Sequence, residues 1–222
     1  MLAEENAVDL CEFCDALHPA RTAEYMEGLT ADEAWEVLQY AQMATRVEVF
    51  SYYSIEKQVK ILETQNRASV AELIAELAAD DRVDILQHLD DDLVDELLLL
   101  LPTEDRRDIL RLQSFPEGTA GSVMTTDVVM LDEKLSVADA LQELGRQSPN
   151  VETIYYLYIV DETRHLRGVV STRQLVSAMG KPDTRLLELM ETDMTVVNVM
   201  DDQETVVDKV AHYDLLALPV VD

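Results

Sequence analysis

Positive charge is what this chain has least of. Its 222 residues carry 17 Lys and Arg against 45 Asp and Glu, a formal charge of −28. Such a surface repels nucleic-acid phosphates and anionic headgroups, so no nucleic-acid partner is expected. It attracts cations, although acidity also serves solubility alone. Two cysteines are too few for a disulfide framework and fit a reducing, intracellular setting. No basic segment followed by an apolar run opens the chain, so no signal peptide is expected. The longest purely apolar run near the middle, Leu97 to Pro102, is far too short to cross a bilayer. Catalytic signatures are missing too. His18, His88, His165 and His212 are scattered, and no G-x-S-x-G, H-E-x-x-H or P-loop pattern occurs, so the chain does not read as an enzyme.

At 48% hydrophobic residues the chain lies well above disordered compositions, and its length suits one large or two small domains. Cys11, Cys14 and His18 resemble half of a zinc site and would share one face of a helix. No second Cys or His pair lies nearby, so they read as helix-face residues.

The stretch Ser114 to Asp127 divides the sequence. Pro116, Gly118 and Gly121 punctuate it. Before it, from about Ala23, a leucine- and acid-rich pattern repeats every 24 residues: Asp81-Arg82-Val83-Asp84-Ile85-Leu86 against Asp105-Arg106-Arg107-Asp108-Ile109-Leu110. Each unit reads as two short helices, with Thr30, Asp80 and Thr103 as expected caps. One such pair cannot cover its own apolar stripe, so pairs must stack. About four fit, which predicts a superhelical α-repeat domain, an irregular helical bundle being the alternative. Acids crowd the repeat turns. Asp91 and Asp95, four apart on a helix, point the same way and repel by a few tenths of a kcal/mol, a penalty that a divalent cation relieves. Mg²⁺, which keeps several waters, needs only paired carboxylates rather than a full cage.

After the divide, β-branched runs alternate with helices. Val128–Met130, helix Val137–Leu144 capped by Ser136, Ile154–Asp161, Leu166–Ser171 and helix Thr172–Ala178 read β-α-β-β-α. The order restarts with a strand at Val196-Val197, helix Glu204–His212 and strand Leu218–Asp222, so the second module is incomplete. Tyr155, Tyr156 and Tyr158 are expected in the module core or a dimer face. The fold class is therefore multi-domain: an all-α superhelical repeat followed by a pair of α/β modules, the second truncated. The expected division is a lead-in at 1–22, the repeat at 23–113, a junction at 114–126, and modules at 127–182 and 183–222.

Tyr-Leu-Tyr-Ile-Val-Asp161 before Leu-Arg-Gly-Val-Val-Ser171, with Ala-Leu-Pro-Val-Val-Asp222, resembles tandem CBS (cystathionine-β-synthase-type) modules. Together with the acidic helical repeat, Ala120–Thr125, Glu152–Tyr156, Leu186–Met190, Asp202-Gln203-Glu204 and Tyr213-Asp214, the chain looks like the cytosolic part of the MgtE family of Mg²⁺ channels and transporters. The resemblance implies a homodimer paired through its CBS modules, a transmembrane pore domain in the full-length protein, and a place on the cytoplasmic side of the cell membrane. It implies that Mg²⁺, with Mn²⁺ or Ca²⁺ able to substitute in vitro, binds between acidic domains and stabilises a compact, closed state. The ligands it implies are Gly121 and Ala211 through their carbonyls, Glu204 and Asp214, with Asp91 and Asp95 on the helical side.

Two rivals remain open. CBS modules commonly bind adenine nucleotides such as ATP, and their signature places an acid for the ribose hydroxyls where this chain has Gln174, three residues after Ser171. The other is a protein-interaction solenoid whose acidic face grips a basic partner.

Overall fold

The computed structural model describes every residue except 1, 149, 150 and 152, with side chains from residue 8 onward. Glu152, part of one expected motif, thus lies outside the described residues. The chain folds as two compact units, Met1–Leu110 and Arg111–Asp222, with the division falling inside one helix.

The first unit is helical: α1 (Leu2–Ala16), α2 (Pro19–Tyr25), α3 (Ala31–Leu38), α4 (Met43–Ser51), α5 (Ile55–Thr64), α6 (Arg67–Glu76), α7 (Ala79–Leu86), α8 (Asp91–Leu100) and α9 (Thr103–Leu112). From α2 onward the helices start at 19, 31, 43, 55, 67, 79, 91 and 103, so alternate helices recur every 24 residues. Helices this short are marginal in water, and packing must hold them. Accordingly α2, α4, α6 and α8 pack in succession, as do α3, α5 and α7, which is the stacking expected of a superhelical repeat. The seventh and eighth residues of each helix supply the core: Val49 and Phe50, Ile61 and Leu62, Leu73 and Ile74, Ile85 and Leu86, and Leu97 and Leu98 are all buried. At the ends of the series the pattern lapses, with Tyr25 65% and Leu110 53% exposed.

The helices end without a basic residue in the last turn from α2 to α8. The terminal carbonyls, negative through the helix dipole, are instead held by side chains from neighbouring helices. Arg46 donates to Leu38, Gln39 and Ala41 at 3.0–3.3 Å, and Gln58 to Phe50 at 2.9 Å. Arg67 donates to Leu62 and Glu63. Lys57 places its ammonium on the carbonyls of Met26, Glu27 and Leu29 and over the Tyr53 ring. Arg82, one of few buried charges, donates from Nε to Leu77 and from Nη2 to Ala75, both at 2.7 Å, and from Nη1 to Asp105 Oδ1 at 3.0 Å. Arg46, Gln58 and Arg82 are each the fourth residue of their helix.

Several local expectations change. Residues 2–16, inside the expected lead-in, form a helix. Thr30 does cap α3, in a reciprocal box with Glu33. Asp80 instead lies inside α7, whose cap position is Ala78, and Thr103 is the first residue of α9. The alanine and proline ahead of them adopt the cap position, so the polar side chains shift inward. His18 does not continue the face of Cys11 and Cys14. The helix ends at Ala16, and His18 caps α2 by accepting from Ala20 N–H at 3.3 Å.

The second unit begins with a 3-10 turn, Ala120–Ser122, then β1 (Met130–Asp132), α10 (Val137–Gln147), β2 (Tyr156–Val160), β3 (Leu166–Ser171) and α11 (Thr172–Ser177). It continues with α12 (Leu186–Leu189), β4 (Val197–Asn198), α13 (Gln203–Tyr213) and β5 (Val220–Val221). β1 pairs parallel with β2 and β2 antiparallel with β3, while β4 pairs parallel with β5. The first sheet and α10 enclose Val129, Leu131, Val137, Ala140, Leu144, Leu157, Ile159 and Val170. Strand alternation puts Leu157 and Ile159 into this core, leaving Tyr156 and Tyr158 half-buried on the other face and Tyr155 exposed. The tyrosines are thus not core residues. β1 starts two residues later than Val128, although the carbonyl of buried Val129 already accepts from Tyr158 N–H at 2.9 Å.

The second module repeats the first 66 residues on: Leu131 and Val197 are the buried strand residues, and Ser136 and Asp202 the helix caps. No counterparts of β3 and α11 follow β5 within the sequence, and α13 has no buried residue. The architecture is the expected all-α repeat followed by a β-α-β pair with a partial second module.

Candidate functional site

Each unit carries its own share of the expected ligands. In the first, Asp91 is the opening residue of α8 and Asp95 stands one turn on, both exposed and without an ion pair among the described residues. Asp91 suits the positive end of the helix. It also lines an open depression of about 650 Å³ with Glu63, Arg67, Asp90, Asp92, Leu93 and Glu96. Five carboxylates there surround one cation, Arg67, which pairs with Glu96 at 3.3 Å. Asp95 does not line it. A second crowd forms at α7, where the Asp81 carboxyl is raised above its ordinary value by burial and by the charges of Asp80 and Asp84.

In the second unit the segment before β1 is stitched to the second module. Ala120 N–H donates to Asp201, Gly121 N–H to Val199, and Gln203 N–H to Gly118, each at 2.8 Å. Gly118 supplies the turn with φ 79°, a conformation open to glycine. Gly121 is required by space: a Cβ there would meet the Phe115 ring at 2.6 Å. These bonds set Gly121 beside the start of α13, where Glu204 lies in the first turn. Ala211 and Asp214 belong to the other end. Asp214 ends the helix with φ 51°, its N–H on the Val210 carbonyl, while the carbonyl of Ala211 is among the last four, which have no intrahelical partner. At 1.5 Å per residue, Glu204 and Asp214 are about 15 Å apart along the axis. One ion cannot take both. Gly121 thus lies toward the Glu204 end of α13, and Ala211 toward the Asp214 end. Among the described residues no three His, Cys, Asp or Glu side chains stand close enough to hold a metal.

Gln174 is occupied locally. Its amide oxygen accepts from Ser171 N–H and Oγ–H, both at 2.7 Å, closing a capping box, and its amide nitrogen donates to Glu191 Oε1 at 2.7 Å. Glu191 is fixed by reciprocal backbone bonds with Val169, and Gly168 leaves room for the approach of the Glu191 carbonyl and Met190. Sequence reasoning missed Glu191, since nothing in local spacing links it to Gln174, 17 residues away. Arg67 was missed likewise, being an ordinary exposed-type residue in an acidic context.

The architecture is thus a helical repeat followed by a pair of β-α-β modules. Residues 17–118 match the family model of the MgtE intracellular N domain, and residues 120–181 that of the CBS domain. The whole chain superposes on the crystal structure of the soluble part of a magnesium transporter, with a TM-score of 0.90, 30% identity and 86% of that chain covered. It superposes equally, at 0.90, on the cytosolic domain of the Mg²⁺ channel MgtE in complex with ATP, at 35% identity and 90% coverage. Half of the chain is 42% identical to the magnesium transporter MgtE of Thermus thermophilus and 39% identical to that of Enterococcus faecalis, over 111 residues in each case. The chain belongs to the MgtE family of magnesium transporters, and comprises the helical N domain and CBS modules of that family, a regulatory rather than an enzymatic part. The matched stretch spans about a quarter (24%) of the length of those curated relatives. Among the described residues no helix is long and apolar enough to cross a membrane.

Proposed function

We propose that this chain is the cytosolic regulatory region of a Mg²⁺ transporter and that its CBS unit senses an adenine nucleotide. The observation that carries this is the end-to-end likeness, at 35% identity, to an MgtE cytosolic domain in complex with ATP. A chain of charge −28 meets a polyphosphate best when divalent cations offset the repulsion, so the ligand form is the Mg²⁺ complex of ATP. Gln174 brings no negative charge and its amide is spoken for, so the carboxylate available to ribose hydroxyls beside it is that of Glu191. Calorimetric titration with ATP, with and without Mg²⁺, tests the reading. Saturable binding weakened by Glu191→Gln is expected, and the absence of saturable heat in both conditions refutes it.

A second reading is that divalent cations themselves are sensed. It is favoured by the exposed, unpaired Asp91 and Asp95 and by Asp214, whose carboxylate sits at the negative end of α13 where a cation would be welcome. Bare carboxylates on the two units repel, and two charges at ~4 Å interact by about 4 kcal/mol at an effective dielectric near 20. Mg²⁺ ions held by Asp91, Asp95, Gly121, Glu204, Ala211 and Asp214 would then favour a compact, closed state by binding it more tightly than the open one. The working assembly in this reading is a homodimer through the CBS modules, attached to a transmembrane pore domain. Small-angle scattering across a Mg²⁺ titration should show compaction that monovalent salt at equal ionic strength does not produce. Identical curves for wild type, Asp91→Ala and Asp214→Ala would refute the ligand assignment.

A further inference from the structure

We propose that Gln147 is an edge guard: its side-chain amide stands where a further strand would pair with β1, and keeps a second copy of this chain from joining the sheet there. β1 is an outer strand, since the sheet order is β1-β2-β3. Its backbone groups alternate in direction. Tyr158 N–H donates to the Val129 carbonyl, so Val129 faces β2, and the N–H and C=O of Met130 face the open side. Bare groups along an outer strand are a template for another strand. At Met130 the template is filled from within the module. Gln147 Nε2 donates to the Met130 carbonyl at 3.1 Å, and Met130 N–H donates to Gln147 Oε1 at 3.3 Å. One amide thus makes both bonds that a residue of a neighbouring strand would make. Gln147 is the last residue of α10, and one turn back Glu143 Oε1 accepts its other amide hydrogen at 2.6 Å, which fixes the side chain in place.

The second module supplies the comparison. At +66, Met130 becomes Val196, Gln147 becomes Tyr213 and Glu143 becomes Lys209. Val197 N–H donates to Pro219 and Val199 N–H to Val221, so Val196 faces the open side of β4. Tyr213 has no amide to offer, and Lys209 instead donates to the Val196 carbonyl at 3.2 Å. An ammonium cannot accept, so Val196 N–H has no partner among the described residues. The edge carbonyl is therefore met by a side chain of the module's helix in both modules, but only the first module also closes the N–H. Symmetry sets what the guard excludes. About a two-fold axis, the N–H and C=O of Met130 in one copy match the C=O and N–H of the same residue in another, as an antiparallel pair. Val128 to Leu131 is uncharged and does nothing to resist such a pair.

Hydrogen exchange read by NMR and sedimentation of the full chain test this together. Gln147→Leu should speed exchange of the Met130 amide about tenfold, the scale of one lost hydrogen bond. In ~0.5 M salt, where repulsion between acidic copies is screened, it should also form larger assemblies than wild type at equal concentration. Gln147→Glu keeps the acceptor for Met130 N–H and loses the donor to its carbonyl, so it should lie between the two and serves if Gln147→Leu does not fold. Tyr213→Gln installs the missing amide in the second module and should slow exchange at Val196. A Met130 exchange rate unchanged in both Gln147 variants overturns the pairing. Faster exchange without larger assemblies overturns the guarding role.

Discussion

Removing the Arg82 guanidinium should unfold the helical repeat more readily than any other single change to a charged side chain in it. Arg82 is 8% exposed and makes three short bonds, two to the end of α6 and one to Asp105 on α9. Hydrogen bonds to charged groups net about 1.5–3 kcal/mol each, but the three share one group and are not additive. Breaking a buried pair by deleting one partner costs ~3–5 kcal/mol. Asp105 is a quarter exposed, which lets water recover part of the loss. Arg82→Ala should therefore destabilise by about 3–4 kcal/mol, enough to lower a urea midpoint by roughly 2 M at a slope near 2 kcal/mol/M. Helical circular dichroism through urea reads this directly. Arg82→Lys keeps the charge but loses the fork that reaches two carbonyls and a carboxylate at once, so it should recover under half. Arg107→Ala, two residues after Asp105 and exposed on α9, should lie within about 0.5 kcal/mol of wild type. A loss below 1 kcal/mol for Arg82→Ala would refute the idea that side-chain clamps, rather than apolar packing alone, secure the helix ends.

Three further outcomes follow from local chemistry. The Asp161 carboxyl is held down at about 2 by bonds from the Thr163 hydroxyl, His165 N–H and Thr163 N–H. Its contribution is present above the ordinary 3.8 and lost as pH falls toward 2, so an NMR titration of that carboxyl should show the depressed midpoint and Asp161→Asn should flatten the acid limb of stability. Asp81 has the opposite sign: its carboxyl is raised by burial and by Asp80 and Asp84, so its ionised form opposes folding at neutral pH. Asp81→Asn should raise the melting temperature at pH 7, with the gain vanishing in acid as both states of the wild type become protonated. Gly121→Ala drives a methyl into the Phe115 ring, at 2.6 Å before relaxation, and should cost about 1–3 kcal/mol in the second unit. Phe115→Leu should restore part of it.

Much of the fold was legible because periodicity and punctuation agree. The 24-residue recurrence of Ile-Leu pairs places α5, α7 and α9, and Leu166–Ser171 was bounded as it stands because a polar turn precedes it and a helix cap at Ser171 ends it. Caps were less legible. Asp80 has the right side chain for a cap, but Ala78 holds the cap geometry and Asp80 turns inward, a choice made by tertiary packing rather than by residue type. The tyrosines of β2 were left between the core and a dimer face because two apolar sets alternate in Tyr-Leu-Tyr-Ile, and the sheet's neighbours decide that Leu157 and Ile159 face the core. The site residues were legible as chemistry but not as geometry. Glu204, Ala211 and Asp214 were implied as ligands by the family resemblance, and the eleven-residue α13 spreads them between its two ends.

That spread bears on how the two readings of function relate. The Mg²⁺ complex of ATP keeps a net negative charge that crowded carboxylates repel, whereas free Mg²⁺ binds best where carboxylates crowd and lowers that repulsion. The two ligands are therefore not independent. By linkage, any cation that favours one arrangement of the acidic surfaces changes nucleotide affinity by the factor with which nucleotide changes cation affinity. Glu191 is where the two could be told apart. It is none of the proposed metal ligands and is anchored by Val169 and Gln174, so Glu191→Gln should weaken ATP binding while leaving the Mg²⁺-dependent scattering curve in place. If that substitution shifts both to the same extent, a shared acidic field rather than distinct sites governs the response.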